Sequence, residues 1–109
     1  HTLIEQLAAH FAFGRRQPGE EVLRAAQSYF MDGLGCALAA TQTESGRIFL
    51  DYARAQPAGP ATLLGWPCGR AVSTAAFVNS ALIHSIEMDD LHRASVLHPA
   101  AVVIAPALA

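Results

Sequence analysis

Apolar residues recur at helical spacing from the start of the chain. Leu3, Leu7 and Phe11, with Ile4 and Ala8 beside them, predict a helix from Leu3 to Phe13 that Gly14 stops. Pro18 opens a second helix, with Glu20 and Glu21 near its positive end. The apolar face of this helix is Val22, Ala26, Phe30, Gly33 and Ala37, widened by Leu23, Leu34 and Leu38. Gly33 and Gly35 each cost about 1 kcal/mol relative to alanine inside a helix, a cost usually offset by close approach of another backbone. The stretch from Tyr29 to Ala40 is therefore expected to lie buried between neighbours, with Asp32 paired or capping. A third helix, Glu44 to Ala55, turns Ile48, Phe49 and Tyr52 inward and Arg47, Asp51 and Arg54 outward, and Pro57, Gly59 and Pro60 end it.

Ala61 to Gly65 reads as a short extended strut, and Trp66 to Gly69 as a turn. A long helix follows from Ala71 to Met88, apolar around most of its circumference through Ala75, Phe77, Val78, Ala81, Leu82, Ile83 and Ile86. Such a helix belongs in the middle of an assembly. A last segment starts at Pro99 and is still apolar at Ala109, without a C-cap. The fold class is all-α, a helical bundle with at most one short extended segment near 61–65.

Composition sharpens this. Of 109 residues, 52% are hydrophobic and 15% charged, against about 25% charged in an average domain. One domain fits this length, but so apolar a chain is expected to be part of something larger or half of a tight oligomer. A net charge of −2 leaves no footprint for nucleic acid or anionic lipid. The charge-free stretches 71–86 and 94–109 fall short of the roughly 20 apolar residues that a spanning helix needs. Glu5 and His10 interrupt the N-terminal apolar run, unlike a secretory signal. A cytoplasmic location is expected, with Cys36 and Cys68 as two buried thiols rather than a disulfide.

The candidate chemistry lies between His84 and His98, where fifteen residues hold three histidines, three carboxylates and one arginine. His98 precedes proline, so it is pushed out of the α region just ahead of a helix that Pro99 starts. The N–H groups of Ala101 and Val102 should face its ring unpaired, a site for a substrate carboxylate. The same dipole disfavours imidazolium, leaving a neutral base. The plainer reading is a capping histidine. Glu87 and Asp90, three apart, share a helical face if the helix reaches that far, with Asp89 to one side. Carboxylates this close repel, and one that keeps its proton can act as general acid or orient His98 or His92. The plainer reading is a solvated helix end beside Arg93. His84 and Glu87 have a metal-chelating i, i+3 spacing, but a second such pair is missing, so no metal is expected and a packed histidine is the simpler account. A site built from His84, Glu87, His92 and His98 is the weaker metal alternative. The G-R-R-Q-P-G-E stretch lacks the lysine and preceding strand of a phosphate cradle, and Ser80 and Ser95 lack nucleophile-elbow glycines.

At these residues the chain resembles the MmgE/PrpD family. Members read N-x-x-x-x-H-x-x-[DE]-[FYM]-D-D, a short loop, then H-P-[SGA]; Asn79, His84, Glu87, Asp89, Asp90, His98 and Pro99 fit in order. Asp32 to Ala40 (D-G-L-G-C-A-L-A-A) is similar to the family's D-T-L-G-C-A-L-A-G helix, and the A-T-L-L-G of Ala61 to Gly65 falls where the family has a similar step. The resemblance implies a chain several times longer, with a large helical domain and a smaller α+β domain, usually a homodimer. Residues 1–109 would be the N-terminal portion of the helical domain. It also implies cofactor-free chemistry on small di- or tricarboxylic acids: dehydration of 2-methylcitrate, decarboxylation of cis-aconitate or epimerisation of an imino-dicarboxylate.

By the same resemblance His98, Glu87 and Asp90 are the catalytic group; Asp89, His92, His84 and Ala101 are expected around them on the substrate. Glu87 stands where aspartate is usual, and Leu91 where many members carry a threonine. The basic residues expected to bind the other carboxylates lie outside this sequence, so the 109 residues alone should be inactive. The competing class is a non-catalytic helical interaction module that docks a partner through the helix from Ala71 to Met88.

Overall fold

The computed structural model describes residues 2–13 and 17–109. Among them are helices α1 (Leu3–Phe13), α2 (Glu20–Ala40), α3 (Glu44–Arg54) and α4 (Val72–His84), and one short strand, β1 (Ala58–Ala61), between α3 and α4. A wide helical turn over Ala100–Ile104 runs into α5 (Ala105–Leu108). The mostly-α architecture is the expected one. Gly14, expected to stop α1, lies outside the described residues. The second helix starts at Glu20 with Gly19 as its cap, so Pro18 stands just before it.

α4 is the hub. It packs against α2, α3, β1, α5 and the wide turn before α5. Thr74, Ala75, Val78, Asn79, Leu82 and Ile83 are buried along it, covering more of the circumference than a surface helix does. α2 presents Gly33, Cys36, Ala37 and Ala40 to the core, a stripe of small side chains that lets helices approach closely. The burial expected for the whole of Tyr29 to Ala40 is confined to that stripe: Tyr29, Met31 and Leu38 are exposed. Gly33 does sit in a close approach, since a methyl there would lie 3.4 Å from the Ala100 methyl. Gly35 faces open space, and Asp32 is exposed along the helix rather than capping it.

Thr43 starts α3 by accepting the Gly46 N–H at 3.1 Å. The buried face of α3 is Gly46, Leu50 and Ala53; of the expected Ile48, Phe49 and Tyr52, only Phe49 packs against the core, half-buried. Spacing of four and three puts these small and medium residues on one stripe, and Gly46 allows the first turn to press on the Ala40 carbonyl. Ile48 is exposed, while the Tyr52 ring meets Phe77 edge-on at 5.7 Å.

The extended segment lies a few residues earlier than expected. β1 pairs across to Arg70, with Gly59 N–H reaching the Gly69 carbonyl at 3.4 Å. Buried Arg70 donates from Nε to the Ala53 carbonyl at 2.6 Å, capping the negative end of α3. Residues 62–65 are held instead by Asn79: its Oδ1 accepts the Leu64 N–H and its Nδ2 donates to the Thr62 carbonyl, both at 2.9 Å. A fully buried amide is thereby satisfied inside an apolar helix. Cys36 is buried, but Cys68 is exposed and both thiols are free, which corrects the expectation of two buried ones. Among the described residues no helix is long and apolar enough to cross a membrane.

Candidate active site

The long helix ends one turn early, and that ending builds the site. α4 stops at His84; the Glu87 N–H reaches back to the His84 carbonyl at 3.0 Å, and Glu87 adopts φ 52°. A left-handed residue reverses the chain, so Asp89 returns beneath the last turn of α4 instead of continuing its face. Glu87 and Asp90 consequently do not share a helical face, as the longer helix would have required. Residues 92–97 then close a tight loop, with His92 N–H on the Leu97 carbonyl at 2.8 Å and Val96 at φ 49°. A β-branched residue in this region is strained by on the order of 1–3 kcal/mol, a cost typical of functional loops. The loop delivers His98 and Pro99 to the start of the final helix.

Asp90 Oδ1 accepts the Ala100 N–H at 2.9 Å and so caps that helix from ten residues upstream. A carboxylate of the protein thus occupies part of the helix N-terminus expected to receive a substrate carboxylate, and Ala101 is buried against the cluster of core side chains. The turn is wide here because Pro106 has no N–H for the Val102 carbonyl.

Asp89 is the centre of the arrangement. Its side chain is 0% exposed, and His84 Nδ1 lies 3.2 and 3.3 Å from its two oxygens. His98 Nδ1 lies 3.2 Å from the same Oδ1, but off the line of a hydrogen bond, which leaves it buried with no bonded partner. The two imidazoles are 4.4 Å apart, tilted by 58°. From the other side, α2 brings Cys36: burial, reinforced by the negative charges of Asp32, Asp89 and Asp90, pushes its thiol above the ordinary value. Cys36 is therefore a protonated thiol, and it lines a separate hollow with Asp32, Ile86 and Met88 rather than the His84–His98 cleft.

His84 and His98 line an open cleft of about 370 Å³ with Phe77, Ser80, Ala81, Val96, Leu97, Ala101 and Val102. The cleft is mostly apolar, and the two imidazoles are the titratable groups among these lining residues. Of the seven site residues named from the sequence, His84, Asp89 and His98 come together, and Ala101 joins the cleft wall. Asp90 is a cap. Glu87 is exposed on the reversing turn, and His92 is exposed with its Nδ1 2.7 Å from Ser95 Oγ. Nitrogen and oxygen atoms of His84, Asp89 and His98 lie within 4.8 Å of one another, the donor composition of a metal site. That set differs from the alternative drawn from the sequence: Asp89 takes the place of Glu87 and His92. Asn79 and Arg70, which the sequence reading gave no structural role, brace the elements behind the site.

A buried carboxylate bonded to one imidazole, with a second imidazole 3.2 Å away, thus sits at the lip of a cleft. The chain belongs to the MmgE/PrpD family: the MmgE/PrpD N-terminal domain matches residues 5–109. It is 30% identical over 92 residues to the cis-aconitate decarboxylase-like protein oryM of Aspergillus oryzae (strain ATCC 42149 / RIB 40). That match covers 81% of this chain and 18% of the relative, so the chain spans under a fifth of the protein it matches. No solved structure matches it.

Proposed function

We propose that this chain is the N-terminal part of the helical domain of a longer lyase, resembling 2-methylcitrate dehydratase, that acts on a small di- or tricarboxylic acid without a cofactor. His98 is the base or acid for a proton on the carbon next to a carboxylate, and His84 and Asp89 complete the centre. The carrying observation is the His98 ring on the cleft wall with its Nδ1 edge 3.2 Å from a fully buried carboxylate. Such a pairing aims the imidazole and stabilises it while it holds a proton. Glu87, exposed on a strained turn beside the centre, is free to meet the guest as a second acid–base group. Basic residues elsewhere in the protein would bind the remaining carboxylates, and a homodimer in the cytoplasm completes the proposal.

Decarboxylation is the second reading, favoured by the name of the relative from Aspergillus oryzae. It uses the same centre to deliver a proton to the carbon that loses CO₂. The test is the full-length protein with a panel of small polycarboxylates in D₂O. Dehydration yields alkene absorbance, and decarboxylation yields CO₂ with deuterium on the product. Turnover of no member of the panel, with the protein folded, counts against both.

A further inference from the structure

We infer that Asp89 is a positioning residue that sets the tautomer of both imidazoles, so that each presents a bare Nε2 to the cleft. The inference deepens the proposed acid–base role of His98 and rests on it for its catalytic consequence. An ionised carboxylate accepts hydrogen bonds and donates none. His84 Nδ1 faces both oxygens of Asp89 at 3.2 and 3.3 Å, and His98 Nδ1 faces one of them at 3.2 Å. A nitrogen lone pair pointed at carboxylate oxygen at that distance is repelled, so both Nδ1 atoms carry hydrogen. In a neutral imidazole the proton on Nδ1 leaves Nε2 as the acceptor.

Burial makes this arrangement stringent. The Asp89 side chain has no exposure to water, and a buried carboxylate is costly unless donors surround it. Among the described residues, the imidazoles of His84 and His98 are the polar side chains placed against it. His84 makes its bonds now. His98 is at bonding distance but misaligned, with its Nδ1 buried and unbonded. A small rotation of the ring, of the kind a guest in the cleft supplies by contacting the other edge, brings that N–H onto Oδ1. Asp89 therefore holds one histidine as an anchor and keeps an acceptor ready for the other.

The test uses the full-length protein labelled with ¹⁵N-histidine, with two-bond ¹H–¹⁵N correlations assigned through His84→Gln and His98→Gln. Both residues are expected as Nδ1–H tautomers. Asp89→Asn keeps the shape but presents an amide that can donate, and His98 then shifts toward Nε2–H. In the same variant kcat falls about 10²-fold or more while KM changes less than about threefold, the pattern of a misdirected base rather than lost binding. His84→Gln, which leaves Asp89 and His98 in place, gives a smaller loss of about tenfold. An Nε2–H tautomer at His98 in the unmodified protein overturns the inference. So does an Asp89→Asn variant with unchanged tautomers and unchanged kcat. Stoichiometric metal in the purified protein, lost in Asp89→Asn, also overturns it, because the three groups would then be ligands. The tautomer readout does not depend on which reaction is catalysed, so it separates a failure here from a failure of the proposed function.

Discussion

Two regions of the molecule use apolar residues in opposite ways. Around α4 the core is built largely from small side chains: Ala37, Ala40, Ala53, Ala75, Ala100, Ala101 and Ala105 pack with a few larger ones such as Leu63, Leu82 and Ile83. In α1 and the first half of α2 the side chains are large and exposed: Leu3, Ile4, Leu7, Phe11, Val22 and Leu23. Small residues bring helices close enough to fix the ends of α4 and the final helix within ångströms, which the His84–Asp89–His98 centre requires. Large residues on an uncovered face indicate surface that has yet to be covered by another element. Close packing is therefore concentrated around the elements that carry His84, Asp89 and His98.

The contrast can be broken by substitution. Leu82→Ala, in the fully buried face of α4, is expected to cost about 2–5 kcal/mol in urea unfolding of the 109-residue chain. A cost below about 1 kcal/mol would show that this core is loosely packed. Leu7→Ser, on the exposed face of α1, is expected to change the same chain by no more than about 0.5 kcal/mol. Repeating Leu7→Ser in the longer protein sharpens the comparison, since a cost of about 2 kcal/mol or more there would mean that another segment covers this face.

The helices were legible because their punctuation is strong: Gly and Pro bound periodic runs, and α1, α3 and α4 begin within a residue of where the pattern puts them. Faces were less legible. On α3, hydrophobicity favoured Ile48 and Tyr52, whereas packing chose Gly46, Leu50 and Ala53, because close packing on α4, and at Gly46 on the last residue of α2, rewards small volume over apolar area. The site's composition could be read directly, but its geometry depended on one torsion. With α4 running to Met88, Glu87 and Asp90 would have shared a face; the left-handed Glu87 ends the helix and swaps Asp89 into the centre. Nothing in the sequence of a non-glycine residue announces that reversal. Asp90 was expected to act on the substrate, but its nearest recorded task is to cap Ala100, a bond spanning ten positions that no local pattern encodes.

The central claim is that the imidazole of His98 moves the proton. The most direct measurement is proton transfer at the substrate carbon in the full-length protein, read as release of a carbon-bound deuterium label to water for dehydration or as uptake of deuterium from D₂O for decarboxylation, comparing His98→Ala with the unsubstituted protein. The account predicts a fall of about 10²-fold or more with the helical content unchanged. An undiminished rate in a folded variant would contradict it.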